Sequence, residues 1–221
     1  MKKFIIATLI SIFPFAALRR GLYRHIMNYE IPSSATIGYL TVIAVSKFSV
    51  GEKVRIGVLN MFKGPIDVKI GNNSRIGKFN RFTCASHITQ DRFKHMGYTP
   101  IIEFGDNTLV LDEHFFDVYG KITLGNYSWI AGHGSQFWTH GLSVLDRDIV
   151  IGEKNYIGSS VLFSPGTSIG SNNVVALGSV VMSKLNCNAS LISGVPAKPF
   201  RSIESDLKEG KYRFSFDDWS D

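Results

Sequence analysis

The sequence contains few cysteines and no apolar run long enough to span a bilayer. Cys84 and Cys187 are the only cysteines among 221 residues, too few for a disulfide framework, so a reducing, cytoplasmic compartment is expected. The apolar stretch from Phe4 to Leu18 is shorter than the roughly 20 residues that span a membrane. Basic residues are scattered, giving a net charge of +6 without a Lys/Arg run. Nucleic acid is therefore not an expected partner, whereas a phosphorylated cofactor or an anionic membrane surface is.

The N-terminal segment 1–30 combines the apolar stretch with positive charge on both sides. The flanking basic residues are Lys2 and Lys3 before it, and Arg19, Arg20 and Arg24 after it. Three interpretations stay open: a helix that packs against the rest of the domain, contact with the inner membrane face, and a cleaved signal peptide. The packed helix is favoured, because the helical pattern continues past the apolar stretch.

A six-residue period dominates the second half of the chain. Apolar residues recur at this spacing, and five of the six are followed by a small residue: Ile151, Ile157, Phe163, Ile169, Val175 and Val181. Six is neither a helix nor a strand period. It is typical of a hexapeptide β-helix, in which three short strands form each triangular coil and the apolar residue points inward.

The same spacing recurs less regularly in the first half. Shorter runs begin at Val50, Ile70, Phe104 and Val118. The register breaks at two polar segments, 86–100 and 137–148, which we predict to leave the coil as loops. We therefore predict an all-β fold, with a parallel β-helix over 31–200, the helical segment 1–30 before it, and a cap over 201–221 that includes a short helix from Ser202 to Glu209.

Two motifs near the end of the repeats point to a family. They are Leu177-Gly178-Ser179-Val180-Val181 and Gly194-Val195-Pro196-Ala197-Lys198. Together with the hexads, the stretch 151–200 resembles the hexapeptide-repeat acyltransferases, especially sugar O-acetyltransferases of the maltose acetyltransferase type and cell-surface polysaccharide acetyltransferases. The resemblance implies a left-handed coil, a homotrimer, acetyl-coenzyme A as donor and an active site between two subunits.

His140 is the candidate general base. It lies in the segment Ser135–Gly141, and in related acetyltransferases a histidine at the matching place takes the proton from the acceptor. A sugar hydroxyl is a poor nucleophile until a base removes its proton. An ordinary imidazole, with a pKa of about 6.5, does this near neutral pH and contributes roughly 10²–10⁴-fold to the rate.

A base histidine needs an acceptor that orients its second nitrogen. Asp117 lies 23 residues before His140, slightly more than one coil of about 18 residues, so we expect the two on the same side of neighbouring coils. Other carboxylates and a backbone carbonyl remain alternatives: Asp112, Asp146 and Asp148. Because sugars stack on aromatic rings and bind amides, the candidate acceptor-binding residues are Trp138, Gln136 and, less directly, His114.

The cofactor residues are assigned by the resemblance. It implies a backbone amide that stabilises the developing oxyanion, for which Ser160 is the candidate. The pantetheine arm is expected along Leu177, Gly178 and Ser179, where small residues permit a close backbone approach. The candidate phosphate-binding cations are Lys198 and Arg201, with Lys184 as a further option.

The expected function is transfer of acetyl from acetyl-coenzyme A to a sugar hydroxyl in cell-surface polysaccharide biosynthesis: O-antigen, capsule or exopolysaccharide. No metal is expected. One alternative keeps the chemistry but has an antibiotic or small metabolite as acceptor. Another is a zinc enzyme like the γ-type carbonic anhydrases, with His114, His133 and His140 as the available ligands. A third is a solenoid without enzymatic activity that serves as a binding module.

Overall fold

The computed structural model describes residues 2–142 and 144–212. The fold is built from short strands, and each complete coil contributes one strand to each of three sheets. The described helices are α1 (Lys2–Ser11), α2 (Ala16–Ile26) and α3 (Glu204–Lys208), with two 3₁₀ helices at Ser86–Thr89 and Asp91–Met96. None of the described helices is long and apolar enough to cross a membrane.

The strands pair in parallel with the equivalent strands of neighbouring coils. Sheet 1 contains β1 (Thr36–Ile37), β4 (Arg55–Ile56), β7 (Arg75–Ile76), β10 (Leu109–Asp112), β13 (Trp129–His133), β16 (Tyr156–Ile157), β19 (Val174–Val175), β22 (Ser190–Gly194) and β23 (Ala197–Ser202). Sheet 2 contains β2 (Val42–Ala44), β5 (Met61–Lys63), β8 (Arg81–Thr83), β11 (Phe115–Asp117), β14 (Gln136–Trp138), β17 (Leu162–Phe163) and β20 (Val180–Val181). Sheet 3 contains β3 (Lys47–Val50), β6 (Asp67–Ile70), β9 (Ile101–Phe104), β12 (Lys121–Leu124), β15 (Ile149–Ile151), β18 (Ser168–Ile169) and β21 (Lys184–Leu185). The parallel β-helix architecture expected from the period is confirmed.

A column of phenylalanines fills the interior behind sheet 2. Each of the six hexad residues from Ile151 to Val181 is at most 3% exposed, so the period marks the core. Consecutive ring centroids lie 4.3 to 5.0 Å apart in the stack Phe62, Phe82, Phe116, Phe137 and Phe163. Because strand side chains alternate between faces, each inward phenylalanine directs its two chain neighbours outward.

Two insertions leave the coil at the same edge, between sheets 2 and 3. The first follows β8 and carries both 3₁₀ helices. The second follows β14, which runs through Trp138. It therefore begins at Thr139, two residues later than the polar segment suggested, because Phe137 belongs to the buried stack.

The N-terminal helices cover the first coil. Helix α1 packs against β2 and α2 packs against β1. The Tyr23 hydroxyl lies 3.0 Å from the Ala7 carbonyl oxygen and 2.8 Å from that of Thr41, which ties both helices to the coil. Arg19 is buried, and its guanidinium donates to the Ile37 carbonyl, so it binds α2 to the first coil.

The described C-terminal end closes with a strand and a short helix. Strand β23 pairs antiparallel with β22, whereas the other ladders are parallel. Helix α3 begins at Glu204, whose N–H lies 3.3 Å from the Ser202 hydroxyl oxygen. The remainder of the expected cap, residues 213–221, lies outside the described residues.

Candidate active site

The two insertions meet above the coil that contains Asp117. Arg147, from the second insertion, donates to the Met96 carbonyl of the first at 2.9 Å. Its guanidinium also lies 4.5 Å from the centroid of the Tyr98 ring. The Tyr98 ring in turn lies 5.4 Å from that of Tyr119. The edge between sheets 2 and 3 is therefore enclosed by both insertions around Asp117 and Tyr119.

Asp117 ends β11 and faces outward. It pairs in register with Thr83 on one side and Trp138 on the other. Its Oδ2 atom is buried and has no hydrogen-bond partner among the described residues. Burial raises the pKa of the Asp117 carboxyl to about 6, while the charge of His140 and nearby main-chain amides act in the opposite direction. The structure thus brings Asp117 and His140 together from neighbouring coils.

The His140 side chain is exposed at the start of the second insertion. Its ring stacks on Tyr119, with centroids 4.3 Å apart and an interplanar angle of 18°. One face of the imidazole is therefore covered, and the orientation of the ring is restricted. Sequence reasoning missed Tyr119. The available signal was its place two residues after Asp117, at the corner where β11 gives way to β12.

Trp138 and Gln136 lie on the same outer face as Asp117. The Trp138 Nε1–H donates to Gln136 Oε1 at 3.0 Å, and its ring centroid lies 4.9 Å from that of Phe115. Together these three side chains form an aromatic and amide surface beside the Asp117–His140 pair. Such a surface suits the stacking and hydrogen bonding of a sugar ring.

His114 does not line this surface. It is only 1% exposed, and its Nδ1 accepts a hydrogen bond of 3.1 Å from the Ser135 N–H. The main-chain N–H of His114 donates to Asn80 Oδ1 at 2.9 Å, within a buried polar ladder between sheets 1 and 2. Burial lowers the pKa of His114 to about 4, so it is neutral at physiological pH. The expectation of a substrate contact is corrected: His114 makes structural hydrogen bonds at the buried corner between sheets 1 and 2.

Four of the residues expected to bind the donor lie along the edge between sheets 1 and 2, across sheet 2 from His140: Ser160, Leu177, Gly178 and Ser179. The Ser160 N–H already donates to the His133 carbonyl at 2.9 Å, so it is not available as an oxyanion donor. Ser179 is buried, and its hydroxyl donates to the Ala176 carbonyl at 2.7 Å. Leu177 remains 79% exposed, and Gly178 adopts a left-handed φ of 69° beside it. Within one chain, the structure does not bring these residues to His140.

The three cations expected at the phosphates differ in their surroundings. Lys184 lies 2.8 Å from an Asp146 oxygen, and Arg201 lies 2.6 Å from an Asp206 oxygen. Lys198 is exposed on β23 and has no carboxylate partner among the described residues. Lys198 is therefore the most readily available of the three for an external phosphate.

A cleft of about 460 Å³ begins at Asp117 and extends toward the N-terminal coils. Its lining includes Lys63, Arg81, Thr83, Cys84, Asp117 and Tyr119. Sequence reasoning missed Lys63 and Arg81, although each directly neighbours an inward phenylalanine. A larger groove of about 760 Å³ lies beside the C-terminal end of α2 and includes neither Asp117 nor His140.

The histidines do not suggest a metal centre within the described chain. In residues 2–142 and 144–212, no three His, Cys, Asp or Glu side chains are grouped to hold a metal ion. His133 ends β13 in sheet 1, whereas His140 lies beyond the far end of β14 in sheet 2. The two are therefore separated by the width of that sheet.

Comparisons with known proteins point to acetyltransferases. No protein-family model matches the chain. The "Putative lipopolysaccharide biosynthesis O-acetyl transferase WbbJ" of Escherichia coli K12 is 28% identical over 157 residues, which cover 63% of this chain and 78% of WbbJ. The crystal structure of the polysialic acid O-acetyltransferase OatWY matches with a TM-score of 0.57 and 18% identity, covering 79% of this chain and 84% of OatWY. That likeness shows a shared fold.

A third relative is the hexapeptide-repeat acetyltransferase VCA0836 from Vibrio cholerae, solved in complex with acetyl-coenzyme A. It is 20% identical, and the match covers 92% of this chain and 86% of VCA0836. Its TM-score is 0.47. WbbJ and OatWY are both named as O-acetyltransferases, and the expected resemblance to sugar O-acetyltransferases is confirmed.

Proposed function

We propose that this chain is a hexapeptide-repeat O-acetyltransferase that moves an acetyl group from acetyl-coenzyme A to a sugar hydroxyl. The observation that carries the proposal is the pairing of His140 with Asp117 from the neighbouring coil, beside an open cleft. A histidine with a nearby carboxylate is the arrangement that a general base requires.

In this proposal His140 takes the proton from the acceptor hydroxyl as the oxygen attacks the acetyl group. Asp117 is a positioning residue, because its carboxylate stabilises the imidazolium that forms. Tyr119 restricts the ring plane by stacking on it. Acetyl-coenzyme A supplies an activated thioester, and His140 returns its proton to the departing thiol. Leu177, Gly178 and Lys198 remain the residues proposed to bind the donor.

The separation of His140 from those donor-binding residues supports a site shared between chains. His140 lies at the edge between sheets 2 and 3, and Leu177 lies at the edge between sheets 1 and 2. We propose a homotrimer in which the base of one subunit meets the donor-binding edge of the next. We also propose a left-handed winding, which the family resemblance implies, and a catalytic domain over 31–200, which follows from the extent of the repeats.

The proposed acceptor is a cell-surface glycan or its lipid-linked precursor, modified in the cytoplasm at the membrane face. The names of two relatives support a glycan, since WbbJ is assigned to lipopolysaccharide biosynthesis and OatWY to polysialic acid. The exposed apolar side chains of α1, including Ile5 and Leu9, support work near a membrane. A soluble antibiotic or metabolite acceptor would leave that surface without a role.

The test is a transfer assay with acetyl-coenzyme A over a panel of oligosaccharides, monosaccharides and antibiotics. We expect acetyl transfer to an oligosaccharide, and a fall in kcat of at least about 10²-fold for His140→Ala, since that is the contribution of a general base. His25→Ala, an exposed histidine on α2, is the matched control and should retain wild-type turnover. Wild-type turnover in His140→Ala would remove His140 from the mechanism, and preferential transfer to an antibiotic would overturn the glycan assignment.

A further inference from the structure

The outer face of sheet 2 carries two cations beside the proposed site. Outward residues on paired strands lie next to one another, so the face displays columns of side chains. One column in register consists of Lys63, Thr83, Asp117 and Trp138. The second column, two residues earlier on the same strands, consists of Met61, Arg81, Phe115 and Gln136. The order of the strands thus fixes the positions of Lys63 and Arg81 relative to Asp117.

The spacing between these charges matches one extended ligand. Adjacent strands lie about 4.8 Å apart, so the Lys63 backbone is about 10 Å from that of Asp117. Arg81 is one strand away and two residues along, which is about 8 Å. All three side chains line the same cleft. A ligand that reaches from His140 into the cleft therefore passes both cations.

Neither cation is neutralised by the described chain. The Lys63 ammonium lies 5.1 Å from the Phe4 ring centroid, and the Arg81 guanidinium lies 5.9 Å from that of Phe115. In residues 2–142 and 144–212, neither has a carboxylate oxygen within 4.0 Å. Both side chains remain exposed to solvent and so accessible to a ligand.

The other titratable groups of the cleft do not cancel this charge. Burial raises the pKa of the Cys84 thiol to about 12, and it also raises the pKa of Tyr119, so both are neutral at pH 7. Asp117 is the single acid among the lining residues, and it faces His140. The end of the cleft away from His140 is therefore positively charged.

We propose that the acceptor is an anionic sugar, whose carboxylate or phosphate binds Lys63 and Arg81 while its reactive hydroxyl lies at His140. This inference deepens the proposed function and rests on it. The Arg81 fork can hold two oxygens of either anion, and Lys63 adds a point charge. The Thr83 hydroxyl, which stands between Lys63 and Asp117, supplies a neutral hydrogen bond.

The experiment measures binding and transfer separately, with matched acceptors. Three oligosaccharides with the same hydroxyls are compared: one with a uronic-acid carboxylate, one with a phosphate and one neutral. Equilibrium dissociation constants are measured without acetyl-coenzyme A, and kcat and KM are measured with it. The variants are Lys63→Gln and Arg81→Gln. Lys69→Gln is the control, since it removes the same charge from the outer face of β6 in sheet 3.

We expect an anionic acceptor to bind at least about tenfold more tightly than the neutral one. Each cleft variant should raise the Kd and KM of the anionic acceptor by about tenfold, leave kcat within twofold, and leave the neutral acceptor unaffected. The difference should shrink as salt is added. Whether the carboxylate or the phosphate acceptor binds more tightly identifies the anion.

The outcomes separate this inference from the proposed function. Transfer that occurs equally well to the neutral acceptor, with no effect of either cleft variant, would overturn the anionic site and leave the acetyltransferase proposal standing. Binding of the anionic sugar that depends on Lys63 and Arg81, without transfer to any acceptor, would overturn the proposed reaction and support the binding site. If Lys69→Gln raised the Kd and KM of the anionic acceptor as much as the cleft variants do, the effect would come from the overall charge of the protein, and the proposed site would be wrong.

Discussion

The buried carboxyl group of Asp117 links the stability of the protein to pH. Its folded pKa, about 6, is above the ordinary value of 3.8 because burial disfavours the charged form. A raised folded pKa means that the protonated carboxyl adds stability below about pH 4. That contribution is lost as the pH rises to about 6. A shift of this size corresponds to about 3 kcal/mol.

We predict that Asp117→Asn removes this pH dependence. Relative to wild type, the variant should gain up to about 3 kcal/mol in the free energy of unfolding between pH 4 and pH 7, because an amide does not ionise. Its kcat should also fall, by less than that of His140→Ala, because the imidazolium loses its negative neighbour. Urea unfolding at several pH values and steady-state kinetics measure the two effects.

Asp91→Asn is the control for Asp117→Asn, since Asp91 is an exposed aspartate on the first insertion. It should follow the wild-type pH profile. If Asp117→Asn also followed that profile, the buried carboxyl would not be the titrating group.

Single residues show where sequence reasoning stops. The hexads predict which residues point inward, and spacing alone suggested that Asp117 and His140 are neighbours. His114 was misplaced because 34 residues, including the first insertion, separate it from Asn80. The same separation relates Phe82 to Phe116, which stack in the core. Because both pairs are 34 residues apart, His114 occupies on its coil the buried corner position that Asn80 occupies on the preceding coil.

The pair of helices α1 and α2 combines attachment with an open apolar surface. Its attached side buries Ala7, Ile10 and Tyr23 against the first coil. The helices and the turn between them also expose large apolar side chains: Phe4, Ile5, Ile6, Leu9, Ile12, Phe13, Phe15, Leu18 and Ile26. No acidic residue occurs before Glu30, and Lys2 and Arg24 are exposed. This combination of apolar surface and positive charge suits an anionic bilayer surface.

We predict that the protein binds vesicles containing phosphatidylglycerol and binds neutral vesicles much more weakly. The double variant Ile5→Glu, Leu9→Glu should reduce vesicle binding by at least about tenfold, because it places two charges in the apolar contact. Vesicle flotation measures the bound fraction. Phe200→Glu, at a 72% exposed site on β23, is the control and should bind as wild type does. Undiminished flotation of the double variant would contradict membrane binding by these helices.

The elements were predictable where one period governs them. The strands of the later coils follow the hexads, and the polar segments mark both insertions. Strand β23 was not foreseen, because Ala197–Ser202 carries no hexad and pairs antiparallel with β22 after the chain reverses. The packing of segment 1–30 against the domain was expected, but the hydrogen bonds that attach α2 were not. Arg20, like Arg19, donates to a carbonyl of the domain, at Ala35, and so anchors the helix.

The three faces of the whole molecule differ in character. From β10 onward, outward positions on sheet 1 form a column of apolar and aromatic residues in register: Leu109, Trp129, Tyr156, Val174 and Leu191. On the earlier strands the same column is polar, with Thr36, Arg55 and Arg75. Outward positions on sheet 3 include many polar residues, among them Lys69, Glu103 and Thr123. An apolar column that runs over five strands favours burial against another copy.

We predict a homotrimer in solution, with the mass of three 24.6-kDa chains by light scattering. Val174→Glu, on the apolar column, should shift the protein to monomers and abolish transfer, because the donor-binding edge would lose the partner's base. Val150→Glu makes the same change on the outer face of sheet 3 and should leave the mass unchanged. A monomeric wild-type protein at micromolar concentration would contradict the shared site.

The structure at the two ends of the coil opposes end-to-end polymerisation of this protein. Stacked β-coils grow by adding strands in parallel, so an open end can template head-to-tail polymerisation into fibres. Here α1 and α2 lie over the first coil, and β23 runs against the direction that a following coil would need. A protein built from self-complementary repeats is thereby limited to a fixed length, and lateral contact through its faces remains as the route to assembly.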